Sequence, residues 1–469
     1  MRIDVSRSLS CTIEITDFEP SVTKMRNPMF TLVGEELDAN GFKWCTSLAA
    51  PNASIYGIPY CAGRSVKFDP VDKSMTEIGP DFGYGSRKWK GGAITGNGII
   101  YCPPCKGLDH GILKIDTNTD NVTILDFNRF PEQGCEPMWN SCALALDGCI
   151  YFMPCKANHI MKLDPNNNDA MTSVGDDLSD HNVRFKYSGT IVGIDGCVYG
   201  IPNYSKRIVK YDPINGTTSF LGEVTFYFCC GNGCLGSDGC IYTLLSNGTV
   251  LKINTTTQSF HSFGIEINKT SFNGFGNAIL GIDGCIYWPP CNTTKILKCD
   301  PHLNLTQLVG HDFGTRDDHK WVGGCATSDG IIYCLPSSTN KILAIDPLKE
   351  YTLSLKNNME EHPEEFGCIF QPSDDIPDET HFDRAVTKFG QRKVLDLLEK
   401  SMRPVHQFCS TTNLSPFMIA ASCKGSHISV IYYLIRNLSL SVFRTLDSSS
   451  IYGLEGKSVG IKKRKCNFY

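Results

Sequence analysis

Twenty-three of the 469 residues are cysteines, and several stand at spacings that invite a chemical reading. Cys102 and Cys105 bracket two prolines as CPPC, the outline of a redox pair or of half a zinc site. A redox pair is expected at a helix N-terminus, where one thiol pKa is lowered, but this motif ends a run with strand character. A tetrahedral zinc site needs a second ligand pair, and Cys229, Cys230 and Cys234 are the densest such cluster. Cys149, Cys197, Cys240 and Cys285 each stand two residues before a tyrosine, and Ile99 and Ile331 hold the same place elsewhere. A thiol that exchanges with isoleucine behaves as a small packing residue.

A second pattern joins charge to aromatic rings. Glu36, Asp81, Asp177, Glu266 and Asp312 each follow a glycine by two residues, and the segments they open end in Lys43-Trp44, Lys88-Trp89, Lys186-Tyr187 and Lys320-Trp321. Aromatics beside lysines can stack or make cation–π contacts, and the lysines attract acidic groups. These eight residues are candidates for a partner-binding face. The competing reading is a latch, with acid and lysine paired and the aromatic wedged between sheets. Repetition favours the latch, because function breaks symmetry; the irregular segments 106–111 and 127–139 are the more local pointers. No G-x-S-x-G elbow, zinc-protease helix or phosphate-binding Gly-Lys-Ser/Thr motif occurs, and no catalytic residue is assigned.

The elements that must position these residues repeat. Tyr56, Tyr101, Tyr151, Tyr199, Tyr242, Tyr287 and Tyr333 follow one another at spacings of 45, 50, 48, 43, 45 and 46 residues. Twelve residues before each stands Trp44, Trp89, Trp139, Tyr187, Cys230, Phe275 or Trp321, so four of the five tryptophans share one repeat position. Some 13 residues after each tyrosine comes Asp69, Asp116, Asp164, Asp212, Asn254, Asp300 or Asp346, five of them followed by proline. Each unit reads as an inner strand, an Asn-Gly or Asp-Gly turn, a second strand, a third ending at Asp-Pro, and an outer strand. A period of this length is that of a four-stranded blade, and such small sheets must stack around an axis. The fold class is mainly β: a seven-bladed propeller of antiparallel blades over 30–355. The segment 30–44 has the phase of an outer strand and is expected to complete the last blade; YTLSL at 351–355 competes for that edge.

The unit DGCIYWPPCNTTKILKCDP and its six relatives resemble the blades of streptogramin lyase-like propellers. Kelch repeats share the paired glycines Gly91-Gly92 and Gly323-Gly324 and a similar repeat length. The lyase resemblance implies a metal-dependent lyase or hydrolase with a divalent cation in the channel and histidine and glutamate near it. His261 and Glu266 are close in sequence but are expected on an outer strand and a loop.

Beyond the repeats the composition changes. Residues 356–380 read as an acidic, proline-containing linker. Over 381–440 the apolar spacing is helical, and Ser415, Pro416, Phe417, Ala420, Ala421, Gly425, Val430, Leu434 and Ile435 resemble one ankyrin repeat. Residues 441–469 read as a basic tail without packed structure, and its run Lys462–Lys465 admits nuclear import. A net charge of -5 gives no reason to expect nucleic acid as partner. The N-terminus lacks the apolar core of a secretory signal, and no uncharged run reaches membrane-spanning length. The expectation is a cytoplasmic, non-enzymatic scaffold with a protein partner, no membrane and no cofactor; the alternative is the metal-dependent enzyme.

Overall fold

The computed structural model describes residues 29–347, apart from 39–40, 86, 106–110, 127–138, 180–182, 184, 225–230, 267–273 and 315–318. The linker, the ankyrin-like segment, the basic tail, the strand expected at 351–355 and the cysteines Cys229 and Cys230 lie outside the described residues.

Seven sheets of four antiparallel strands make up the fold. Their innermost strands begin at Trp44, Ala93, Trp139, Tyr187, Cys234, Ile279 and Cys325, and they approach one another around a common axis. The approach is close: a Cβ added at Gly323 would lie 2.6 Å from the Cys45 carbonyl oxygen of the neighbouring blade. Core clusters lie between blades rather than within them. Tyr56 and Ile58 of blade 1 pack with Trp89, Ile100 and Leu113 of blade 2, and the same interleaving recurs around the ring.

The hairpin turns explain the Asp-Gly repeats. In blade 3 the Gly148 N–H donates to Ala145 O at 3.0 Å and the Ala145 N–H donates to Cys149 O at 2.9 Å. Gly148 has φ of 80°, while Asp147 is not left-handed, so the loop is a type I turn closed by a bulge at glycine. Blade 1 places Ala53 at this position with φ of 65°. At the opposite hairpin the Asp carboxylate caps its own turn: Asp212 Oδ1 accepts the Ile214 N–H at 2.9 Å and Asp300 Oδ1 the His302 N–H at 2.9 Å.

Closure follows the expected clasp. The strand Phe30–Val33 pairs antiparallel with Ile342–Ile345, Phe30 opposite Ile345, and so forms the outer strand of blade 7. Phe30 is buried among Tyr287, Trp321 and Leu343. Two faces result. The turn face carries both sets of hairpin turns; the loop face carries the connections between blades and those between second and third strands. Among the described residues no helix is long and apolar enough to cross a membrane.

Candidate partner-binding face

The eight Lys-aromatic residues converge on the loop face, where each pair opens an inner strand. Their side chains are nevertheless buried. Lys88 and Trp89 are 0% exposed, and Lys43, Trp44, Lys186, Tyr187, Lys320 and Trp321 do not exceed 6%. An exposed surface of these eight side chains is therefore not what the fold offers. The physical reason is hydrogen-bonding demand. Trp44 Nε1 donates to Arg64 O at 3.1 Å, Trp89 Nε1 to Gly111 O at 3.0 Å and Trp321 Nε1 to Lys341 O at 3.0 Å. Each indole thus braces the inner strand to the start of the third strand while its ring fills the space between blades.

The lysines point under the loops. Lys88 Nζ donates to the carbonyls of Gly83 at 2.7 Å, Gly85 at 2.9 Å and Cys61 at 3.3 Å. Lys43 Nζ donates to Asp38 O at 2.6 Å and, across the closure, to Thr339 O of blade 7 at 2.9 Å. Burial drives Lys43 down to about 8, with Asp38 opposing the shift, and it lowers Lys88 as well. The acids take a different part from the one the latch reading gave them. Asp81, Asp177 and Asp312 accept backbone N–H groups two residues on, at 2.7–2.8 Å, so acid and lysine hold one loop through its backbone. Glu36 instead meets Lys341 at 3.6 Å.

The cysteines belong to packing. None of the fifteen cysteines among the described residues forms a disulfide. Cys149, Cys197, Cys240 and Cys285 are buried where they open the second strand. Cys102 sits in the core between blades 1 and 2, whereas Cys105 faces Asn140 of blade 3, Sγ to Oδ1 3.9 Å. Burial raises both thiols, the reverse of what a redox nucleophile needs. Among the described residues no three His, Cys, Asp or Glu lie close enough together to hold a metal ion. His261 lies on the outer strand Ser259–Phe263, and Glu266 follows that strand.

One constellation escaped the sequence reading. In blades 3 to 6 the turn aspartate accepts the hydroxyl of the tyrosine four residues on, at 2.7 Å in each: Asp147–Tyr151, Asp195–Tyr199, Asp238–Tyr242 and Asp283–Tyr287. The lysine opposite that tyrosine on the third strand completes a triad at 2.8–3.2 Å from the carboxylate. Burial alone would raise Asp147, Asp195 and Asp238, but lysine, tyrosine and backbone donors outweigh it and hold them below the usual carboxylate range.

Blades 1 and 2 carry Asn52 and Asn97 in place of the aspartate, and the next blade supplies the missing acid. Asp120 of blade 2 accepts from the Tyr56 hydroxyl at 2.5 Å and from Lys67 at 2.8 Å; Asp169 of blade 3 does the same for Tyr101, at 2.6 Å, and Lys114, at 2.5 Å. In blade 7 the lysine is the missing member, replaced by Ala344 opposite Tyr333. Lys73 of blade 1 fills in, 2.7 Å from the Tyr333 hydroxyl. Lys73, Asp120 and Asp169 all sit at the left-handed position of the outer hairpin, φ 55–65°. The proximity of lysine, tyrosine and carboxylate could move protons, but its recurrence around the ring marks it as a bond between blades.

No protein-family model matches the chain, and no curated protein matches it in sequence. Solved structures do resemble it. A catalytically inactive virginiamycin B lyase from Staphylococcus aureus with quinupristin superposes with a TM-score of 0.53 at 14% identity, covering 67% of this chain and 98% of that one. A streptogramin B lyase gives 0.53 at 15% identity over 67% and 97% of the two chains. The WD40 propeller domain of Doa1 gives 0.50 at 12% identity over 68% and 98%. At these identities the likeness is one of fold: a seven-bladed propeller.

Proposed function

We propose that the chain is a protein-interaction scaffold that holds its partner on the loop face. The observation that carries this reading is where the repeats differ. On the turn face the link from third to outer strand is nearly uniform: Asp116 to Asn121, Asp212 to Thr217, Asp300 to Leu305. On the loop face it is not, for the outer strand of one blade and the inner strand of the next are separated by Ile78 to Ala93 in one place and Glu223 to Cys234 in another. Second and third strands are joined across Pro202 to Arg207 or, more widely, Cys102 to Ile112. A uniform frame with one varied face puts recognition on the varied loops. The eight buried lysines and aromatics support that face from beneath.

Exposed rings supply anchors of the kind that dominate protein interfaces. Tyr84 is 63% exposed, with its hydroxyl on Gly41 O at 2.7 Å. Tyr204 packs beside Phe185, and Lys156 Nζ lies 5.2 Å from the Phe185 ring centre. The reading requires no cofactor. Its partner is a protein rather than a nucleic acid or a membrane, and fifteen cysteines without a disulfide support a reducing, cytoplasmic setting. The test is crosslinked capture of partners by full-length protein, with Tyr84→Ala/Tyr204→Ala on the loop face against Val71→Asp/Ile214→Asp on the turn face. The loop-face pair is expected to lose at least about tenfold of each specific partner, roughly 1.4 kcal/mol, and the turn-face pair little. Equal losses in both variants would remove the loop face from consideration.

A further inference from the structure

The residue following the aromatic of each repeat opens the channel mouth on the loop face. It is Cys45, Lys90, Asn140 and Ser188 in blades 1 to 4, then Gly231 and Gly276 in blades 5 and 6. The glycines leave one side of the mouth bare, and Lys90 is its single cation among these positions. Lys90 is half-buried, and among the described residues no hydrogen bond or ion pair reaches its Nζ. Its charge acts on Cys45 of blade 1, Cys105 of blade 2 and Cys155 of blade 3. Three consecutive blades converge only at the axis, so the ammonium stands over the channel.

The surroundings add donors and no counter-charge. The Asn140 amide spans blades 2 and 3 at this level, its Nδ2 3.0 Å from Cys155 Sγ and its Oδ1 3.9 Å from Cys105 Sγ. Arg87 adds a second positive charge, acting on Tyr60 and Cys105. No carboxylate is among the groups acting on Cys45, Tyr60, Cys105 or Cys155. The thiols do not supply one either, since burial pushes Cys45 and Cys155 up to about 12 and both are neutral at pH 7. A half-desolvated ammonium without a counter-charge is unfavourable, and an anion entering from solvent relieves it.

We propose that the loop-face mouth of the channel binds a small oxyanion, a carboxylate or phosphate group, held by Lys90 with Arg87, the Tyr60 hydroxyl and the Asn140 amide as further donors. The proposal does not depend on the scaffold reading. Its test is isothermal titration calorimetry of the full chain with inorganic phosphate and, separately, acetate, at an ionic strength fixed with chloride. Saturable binding of at least one anion is expected, with the dissociation constant raised at least about tenfold in Lys90→Met and restored within about threefold in Lys90→Arg. Arg87→Gln, at an exposed side chain, is expected to weaken binding by a smaller factor and serves as the test variant if thermal unfolding shows that Lys90→Met does not fold. Binding of phosphate only assigns the phosphate class; binding of acetate assigns a carboxylate. No saturable binding of either anion, or affinity unchanged in the folded variants, overturns the proposal.

Discussion

Lys43 shows what a repeated spacing does and does not reveal about a side chain. Its place before a tryptophan, repeated at Lys88, Lys186 and Lys320, was legible in the sequence. Its burial was not, because a repeat position says where the backbone lies and not whether a loop folds back over the ammonium. The carbonyls that receive Lys43 come partly from blade 7, at Thr339, a neighbour that only ring closure creates. The same limit applies to CPPC, whose motif is local while the separate surroundings of Cys102 and Cys105 are not. Burial leaves Lys43 at about 8 in the folded protein against the ordinary 10.5. Between those values the unfolded chain holds a proton that the folded one lacks, so the contribution of Lys43 to stability rises with pH across that window. Urea unfolding of wild type and Lys43→Met is expected to show the difference moving in favour of the wild type from pH 8 to about 10.5. A difference independent of pH would mean that Lys43 is not held in a desolvated place.

At the scale of elements, the hairpins carry both the repeat and its repair. The Asp-Gly turns, the tyrosines and the Asp-Pro turns were all visible as sequence periodicity, and the strands fall where they predicted. The exchange of charge between blades was not visible. Asp120 stands 64 residues from Tyr56, and in the sequence Asn52 looks only like a decayed repeat. In space, loss of an acid in one blade is met by gain of an acid in the next. The acids should therefore be interchangeable. Asp120→Gly leaves Lys67 without its carboxylate and is expected to lower stability by about 1 kcal/mol, since the pair is about one-third exposed. Asn52→Asp on its own sets two carboxylates near one tyrosine and is not expected to stabilise. Together the two substitutions rebuild the arrangement of blade 4, where Asp195 serves its own tyrosine and Gln258 stands at the outer turn. The double variant should return to within about 0.5 kcal/mol of the wild type in denaturant melts, a clear departure from additivity. Additive effects would show that the two acids act separately.

At the scale of the whole molecule, the phase of residues 30–44 anticipated that the N-terminal strand would complete the last blade. Registry with Ile342–Ile345 needed the structure, because a short apolar strand fits either edge partner equally well in sequence. Phe30 holds that joint, edge-on to Phe313 with ring centres 6.4 Å apart. Phe30→Asp is expected to cost about 3 kcal/mol and to expose the edge of Ile342–Ile345 to other chains. Thermal melts and sedimentation would register both effects; a stable, monodisperse variant would place the closure elsewhere. The joint also has a direction. Met29 and Asp346 lie side by side, the Asp346 N–H donating to Met29 O at 2.9 Å, so the chain enters and leaves the ring at one corner. Tension between the flanking segments would load the pairs from Phe30–Ile345 to Val33–Ile342 in turn, as a zipper rather than in shear. For all its concentric packing, the ring is mechanically a clasp that opens from one end.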